Sequence, residues 1–184
     1  MSDENPTPEE LEEWARVRGY ILAQADRYTP SQYWPRLVEQ RAKLLQLFQE
    51  ATPAQAAWRP PTGEGEEAWS IVEVAQHVLQ WTENIIELNH AFLEGREGRK
   101  LPSGYLDPDP AAQLPAVLEQ LVESSHELAE TLLYVAGRAD PAHTTEHPRF
   151  GELNARQWFI LGRVHDMDHI RQIEGLKQME GFPA

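Results

Sequence analysis

Three histidines occur at spacings that favour a shared metal ion. His165 and His169 are four residues apart within the segment 154–176, which has helical periodicity. Residues four apart on an α-helix lie one turn apart on the same face, so the two imidazoles can converge on one ion. Histidine binds divalent zinc, nickel or iron through a neutral ring nitrogen. The pair therefore supplies two candidate ligands.

A third ligand must come from another helix, and His77 is the best candidate. It borders the apolar stripe of the helix expected after Ser70, in the second turn. Open catalytic metal sites commonly combine three protein ligands with a free position for water or substrate. Trp58 and Trp69, in the preceding loop, would form one wall of a cleft. The alternative is that these histidines are core-edge residues, because pairs at this spacing also arise by chance.

Asp168 is the candidate catalytic residue. It lies three residues after His165 and one before His169, from where it could orient a ligand or act as a general base. The alternative is an exposed acid on a charged helix. Gln172 lies on the inward stripe, where it either hydrogen-bonds a group that supports the ligands or closes the core edge.

Two further histidines, His143 and His147, fall in an expected loop. Either could be a fourth metal ligand or support one of the three, but the favoured interpretation is a surface position. Arg163 and Arg171 are expected to point outward. His90, like His126, falls on the polar side of its helix.

Capping residues, prolines and apolar periodicity predict the elements that position these side chains. Helices are expected over 8–27, from near 30–35 through Phe48, from Ser70 to near Gly95, from Asp109 with Pro110 in the first position to Gly137, and over 154–176, with one short turn over 52–58. Residues 59–67, 96–108 and 138–153 are expected to be loops, and no convincing strand is present. The pattern predicts an all-α protein, a four-helix bundle with an additional N-terminal helix. We expect a single domain over 1–184, with residues 1–6 flexible.

Composition excludes several classes of function. The 184 residues carry a formal net charge of −14, which disfavours binding to phosphate backbones and so to nucleic acid. The absence of cysteine excludes disulfides, thiolate ligands and a cysteine nucleophile. Without a long apolar run or an apolar signal core, we expect no membrane association and a cytoplasmic location.

The chain resembles the DinB/YfiT-like superfamily of metal-binding four-helix bundles, over about Tyr33 to Leu176. The resemblance rests on Ala-Trp-Ser-Ile-Val-Glu-Val-Ala-Gln-His-Val at 68–78, His-Pro-Arg-Phe-Gly-Glu-Leu-Asn at 147–154, the two histidines at 165 and 169, and Gln-Ile at 172–173. It implies a bundle with crossover connections, often a homodimer, with a divalent transition metal on His77, His165 and His169. Relatives include S-transferases and isomerases that use bacillithiol, mycothiol or glutathione. Ergothioneine-type synthases, also related, carry a glutamate where this chain has Arg171.

Two functions remain open. The first is a metal-dependent enzyme that activates a low-molecular-weight thiol or water and acts on a small-molecule substrate. Arg96, Arg99 or Lys100 would then recognise carboxylates of the cosubstrate, unless they are solvated loop charges. The alternative is a non-catalytic bundle for binding or dimerisation, with a structural or vestigial metal site. Three histidines with an open position suit zinc, nickel and iron alike.

Overall fold

The computed structural model describes residues 6–99, 107–135 and 137–184, which are mostly helical. Its elements are α1 (Pro8–Arg27), α2 (Pro30–Glu50), the short α3 (Pro53–Ala57), a 3-10 turn (Gly65–Ala68), α4 (Ile71–Glu94), α5 (Leu114–Val135), the strands β1 (Thr144–His147) and β2 (Gly151–Asn154), and α6 (Ala155–Leu176). The expected flexibility of residues 1–6 concerns mainly residues 1–5, which lie outside the described residues. No described helix is long and apolar enough to cross a membrane.

Capping explains where most of these helices begin. Thr7, Thr29, Ser70 and Asn154 each begin a capping box, in which the side chains of the N-cap and N3 residues bond each other's backbone N–H groups. Gly95 ends α4 in the left-handed conformation at φ 66°. The predicted starts at 8, 70 and 154 are therefore confirmed.

The four long helices α2, α4, α5 and α6 form the bundle, and α1 packs against α6. Ion pairs Arg41–Asp166 and Lys43–Glu174 join α2 to α6 in increasing order along both helices, so these two run parallel. Among the described residues, the core consists of two apolar clusters. Residues early in α4 and early in α5 lie in one cluster, and residues late in both helices lie in the other, so α4 and α5 also run parallel to each other. The connection from α4 to α5 therefore crosses the length of the bundle.

A polar layer separates the two apolar clusters at mid-height. Arg41 of α2 donates to both carboxylate oxygens of Asp166 of α6, at 2.8 and 2.9 Å. The same guanidinium donates to Thr82 of α4 at 3.1 Å and to Ser125 of α5 at 2.9 Å. Arg41 and Asp166 are buried, at 9% and 0% exposure. One side chain thus bonds to all three other helices of the bundle.

The start of α5 differs from the expectation. The prediction of a helix from Asp109 and Pro110 is wrong, because residues 109–112 form a turn and α5 begins at Leu114. A helix from residue 110 would place Pro115 in its interior, where proline lacks the required N–H. Starting at Leu114 moves that proline into the first turn, where it is tolerated.

The expectation of no strand is also wrong. Within the predicted loop 138–153, β1 and β2 pair antiparallel, from Thr144 opposite Asn154 to His147 opposite Gly151. The connecting turn is only three residues long, and Gly151 supplies the left-handed conformation at φ 66° that such a turn requires. Strands of four residues are too short to show alternating hydrophobicity. Asn154 is both the last residue of β2 and the N-cap residue of α6.

The N-terminal helix holds this hairpin against the bundle. Arg18 of α1 donates from Nε to the backbone oxygen of Phe150 at 2.8 Å. Arg149, also in the turn, lies over the ring of Trp14 at 5.9 Å. The extra helix therefore supports the turn of the hairpin from outside.

Removing Arg41 should destabilise the protein strongly, because Asp166 would remain buried without its partner. We expect Arg41→Met to lower the free energy of unfolding by about 3–5 kcal/mol in urea titrations. The double variant Arg41→Met/Asp166→Leu should recover at least half of that loss. Arg16→Met, which breaks an exposed pair with Glu13, is the control and should cost less than about 1 kcal/mol. Equal costs for the two single variants would contradict a central role for the layer.

Removing Arg18 should loosen the hairpin without unfolding the helices. In Arg18→Ala, backbone amides of residues 144–154 should exchange with deuterium at least several-fold faster, since a bond to the turn is lost. Helical circular dichroism should stay unchanged, and Arg16→Ala should leave hairpin exchange as it is. Unaltered exchange in Arg18→Ala would show that α1 does not hold this turn.

Candidate metal centre

The three histidines predicted as ligands lie together. Nε2 of His165 is 3.1 Å from Nε2 of His77 and 3.3 Å from Nε2 of His169. The three potential ligand atoms lie within 4.8 Å of one another. Two nitrogens each about 2.1 Å from a tetrahedral zinc ion are about 3.4 Å apart, so these spacings are those of a metal-binding set. The triad could hold one divalent ion.

Hydrogen bonding sets the tautomer of one of the three histidines. The Gln172 side-chain amide donates to the backbone oxygen of Glu66, which leaves its Oε1 facing Nδ1 of His169 at 2.9 Å. Nδ1 must therefore carry the proton and Nε2 the lone pair. A ligand histidine that donates its other N–H to an oxygen is the usual arrangement in metal sites.

Burial keeps the imidazoles of His165 and His169 neutral. Removal from water lowers the pKa of His169 to about 4, although the bond to Gln172 acts in the opposite direction. The pKa of His165 lies well below its usual value, first because of burial and then because of the neighbouring His169 and His77. Neutral rings at physiological pH are what a metal requires.

Aromatic rings hold the histidines in place. Trp81 stacks on His165 with centroids 4.2 Å apart and planes at 14°, and Trp69 contacts His77 at 4.9 Å. Gly162 makes room for this stack, since a Cβ there would meet the Trp81 ring at 3.2 Å. The prediction that Trp58 and Trp69 form one wall of the cleft is wrong, because Trp69 packs behind His77 and Trp58 packs against Phe182, and neither lines the cavity beside the triad.

The triad lies on a cavity of about 400 Å³ between α4, α6 and the hairpin. Its lining combines apolar walls with polar side chains: Trp81, Leu88, Phe150, Trp158, Leu161, Gln80, Asn84, Thr145, His147 and Asp168 among others. A volume of this size accommodates a small molecule.

Asp168 lines the cavity but is also engaged elsewhere. Its carboxylate accepts a hydrogen bond from Arg171 at 2.9 Å, and the two side chains are 59% and 67% exposed. Its catalytic role stays a prediction. Arg171 points outward as expected, whereas Arg163 is half-buried and donates to the hydroxyl of Tyr20.

Of the loop cations considered for cosubstrate binding, only Arg99 lines the cavity among the described residues. Arg96 pairs with Glu87 and Glu94 on the surface. Lys100 lies outside the described residues.

His147 is a functional candidate that sequence analysis placed on the surface. It lines the cavity, stacks on Phe150 at 4.6 Å and contacts Trp158 at 5.2 Å. Its Nδ1 accepts the backbone N–H groups of Arg149 and Phe150, so the neutral ring carries its proton on Nε2. His147 is therefore a hydrogen-bond donor, and it is not part of the ligand cluster found among the described residues.

The sequence analysis also did not predict the polar layer around Arg41. Arg41 falls between Leu37 and Leu44 on the inner stripe of α2, and that single charge within an apolar series was the available signal. Gly162 gave no signal, because its need for space arises from Trp81 on another helix.

The fold and the site together define a class of protein, a four-helix bundle in which three imidazoles converge to form a candidate metal centre. The sequence model of the DinB superfamily matches residues 36–173, most of the chain, and the chain belongs to this superfamily. It is also similar in structure to TT2238, a four-helix bundle protein, with 26% identity, a TM-score of 0.58, and coverage of 79% of this chain and 98% of that one. No curated protein matches. α1 precedes the matched region.

His147 should make the stability of the metal-free protein depend on pH. Burial, followed by the charge of Arg149, lowers its pKa from 6.5 to about 4. The folded state then binds fewer protons than the unfolded state between those values, so stability is full above pH 6.5 and falls as the pH drops toward 4. The slope from this residue is at most about 1.4 kcal/mol per pH unit. In urea titrations from pH 7.5 to 4.5, His147→Gln should flatten the profile, and an unchanged slope would contradict the assignment.

Proposed function

We propose that the protein binds a divalent transition metal through His77, His165 and His169 and uses it to activate a low-molecular-weight thiol for transfer to a small electrophile. The observation that carries the proposal is the convergence of three imidazole nitrogens at a cavity of about 400 Å³. Three protein ligands leave a coordination position for a cosubstrate. Water is the alternative nucleophile for the same site.

The thiol must come from outside the chain, because the sequence contains no cysteine. When bound, the ion supplies a Lewis-acid position that lowers the pKa of a thiol or water. The residues of the chain then have to orient the electrophile, exclude water and handle a proton.

The cavity provides groups for these tasks. Trp81 and Leu161 give apolar surface against which an electrophile can pack away from water. Nε2–H of His147 would donate to a developing negative charge on the electrophile. Asp168 would accept the proton released by the nucleophile, which requires its carboxylate to leave Arg171.

Metal analysis tests the ligand set. Protein purified without a histidine tag should contain close to one transition-metal ion per chain. We expect His165→Ala to lose most of this metal, because two ligands bind far more weakly than three, while helical circular dichroism is retained. His126→Ala, on an exposed position of α5, is the matched control and should keep its metal. Full metal content in His165→Ala would reject the site.

Thiol transfer to 1-chloro-2,4-dinitrobenzene, assayed with a panel of thiols, tests the reaction. The rate should exceed the uncatalysed reaction, vanish after chelation and return when metal is restored. Asp168→Asn should lower kcat about 100-fold or more if this residue transfers the proton. A kcat equal to that of Arg171→Gln would remove Asp168 from the mechanism. Metal binding with no transfer and no hydrolysis would favour the binding or dimerisation module.

A further inference from the structure

The cavity extends well beyond the triad, and its far part carries its own polar groups. Asn84 follows His77 by seven positions on α4, and Trp158 precedes His165 by seven positions on α6. His77 faces His165, whereas Trp81, four residues later on α4, packs against Gly162, three residues earlier on α6. The two helices therefore run antiparallel here. Both residues therefore lie in the same direction from the triad, about 10 Å away at about 1.5 Å per residue. Both line the cavity.

Two buried polar atoms in this far part have no hydrogen-bond partner among the described residues. They are Oδ1 of Asn84, an acceptor, and Nε1 of Trp158, a donor. The Trp158 side chain is only 6% exposed, so water does not readily serve it. Folded proteins pair the great majority of such groups. An unpaired donor and an unpaired acceptor that line one cavity indicate a ligand that supplies both partners.

Charged side chains also line the cavity, and two ion pairs engage three of them, Glu66, Arg149 and Asp168. Arg149 pairs with Glu66 and Asp168 pairs with Arg171, so these four groups are neutralised in pairs. Neither Asn84 nor Trp158 carries a charge. The third polar group nearby is also neutral, because His147 offers an N–H from an uncharged ring. Asn84, Trp158 and His147 are thus three uncharged groups and suit a neutral polar partner, while Arg99 is a further, charged residue of the lining.

We propose that Asn84 and Trp158 form a recognition subsite for a secondary amide. The amide carbonyl would accept from the Trp158 indole N–H, and the amide N–H would donate to Oδ1 of Asn84. About 10 Å corresponds to roughly three residues of extended chain, so the ligand class is an extended, peptide-like molecule. The subsite rests on the proposed function in one respect, namely that the other end of the same molecule carries the thiol to the triad.

The test uses the full-length, metal-free protein labelled with ¹⁵N and two probes of equal length, N-methylhexanamide and methyl hexanoate. The ester keeps the carbonyl acceptor and lacks the N–H. The Trp158 indole resonance, assigned by its loss in Trp158→Phe, should move on titration with the amide. We expect the amide to bind at least tenfold more tightly than the ester, because only the amide satisfies Asn84.

Variants separate recognition from general packing. Asn84→Leu should abolish the preference for the amide, whereas Asn84→Asp, which keeps an acceptor, should retain it. Trp58→Phe alters a tryptophan that packs against Phe182, outside the lining of this cavity, and should leave the preference unchanged. Equal affinities of the two probes for the unmodified protein, or a preference that survives in Asn84→Leu, would overturn the proposal.

The result is independent of metal chemistry. A protein that prefers the amide but binds no metal would keep the subsite and lose the proposed function. A protein that binds metal and shows no preference would lose the subsite alone.

Discussion

A single buried guanidinium organises this bundle. Arg41 bonds to Asp166, Thr82 and Ser125, one residue from each of the other three helices, and the apolar clusters lie above and below it. Taking the ion pair out of water costs more than a well-packed apolar pair would, so its value lies less in stability than in specificity. A helix that slides or rotates loses a bond that water cannot replace. The layer therefore fixes how the four helices align.

The position of the histidines follows from that alignment. Asp166 directly follows His165, and successive residues on an α-helix are about 100° apart. Holding Asp166 toward α2 thus turns His165 toward α4, where it stacks on Trp81 and meets His77. The convergence of the imidazoles and the polar layer are two consequences of one rotational orientation of α6. The bond from Gln172 then sets the tautomer of His169 at the next turn.

How much the sequence reveals depends on whether the controlling interaction is local. Capping boxes, helical stripes and the spacing of His165 and His169 involve neighbours within a few residues. They predicted most of the bundle and, with the family resemblance, the cluster of three histidines. The direction of the helices, the Arg41 layer and the space at Gly162 depend on contacts between distant segments. The prediction missed the hairpin for another reason. Its two four-residue strands are stabilised by pairing with each other and by Arg18 from α1.

The direct junction between β2 and α6 has a consequence for how such a protein diversifies. Because Asn154 belongs to both elements, the base of the hairpin cannot change length without displacing the helix that bears two imidazoles. The three-residue turn at 148–150 carries none of the three histidines, and its backbone bonds only to Arg18 and to Nδ1 of His147 in the contacts described above. Insertions there would reshape the rim and leave the coordinating atoms untouched. One short turn is therefore where descendants of this chain could most readily change the rim of the cavity while inheriting the same three histidines.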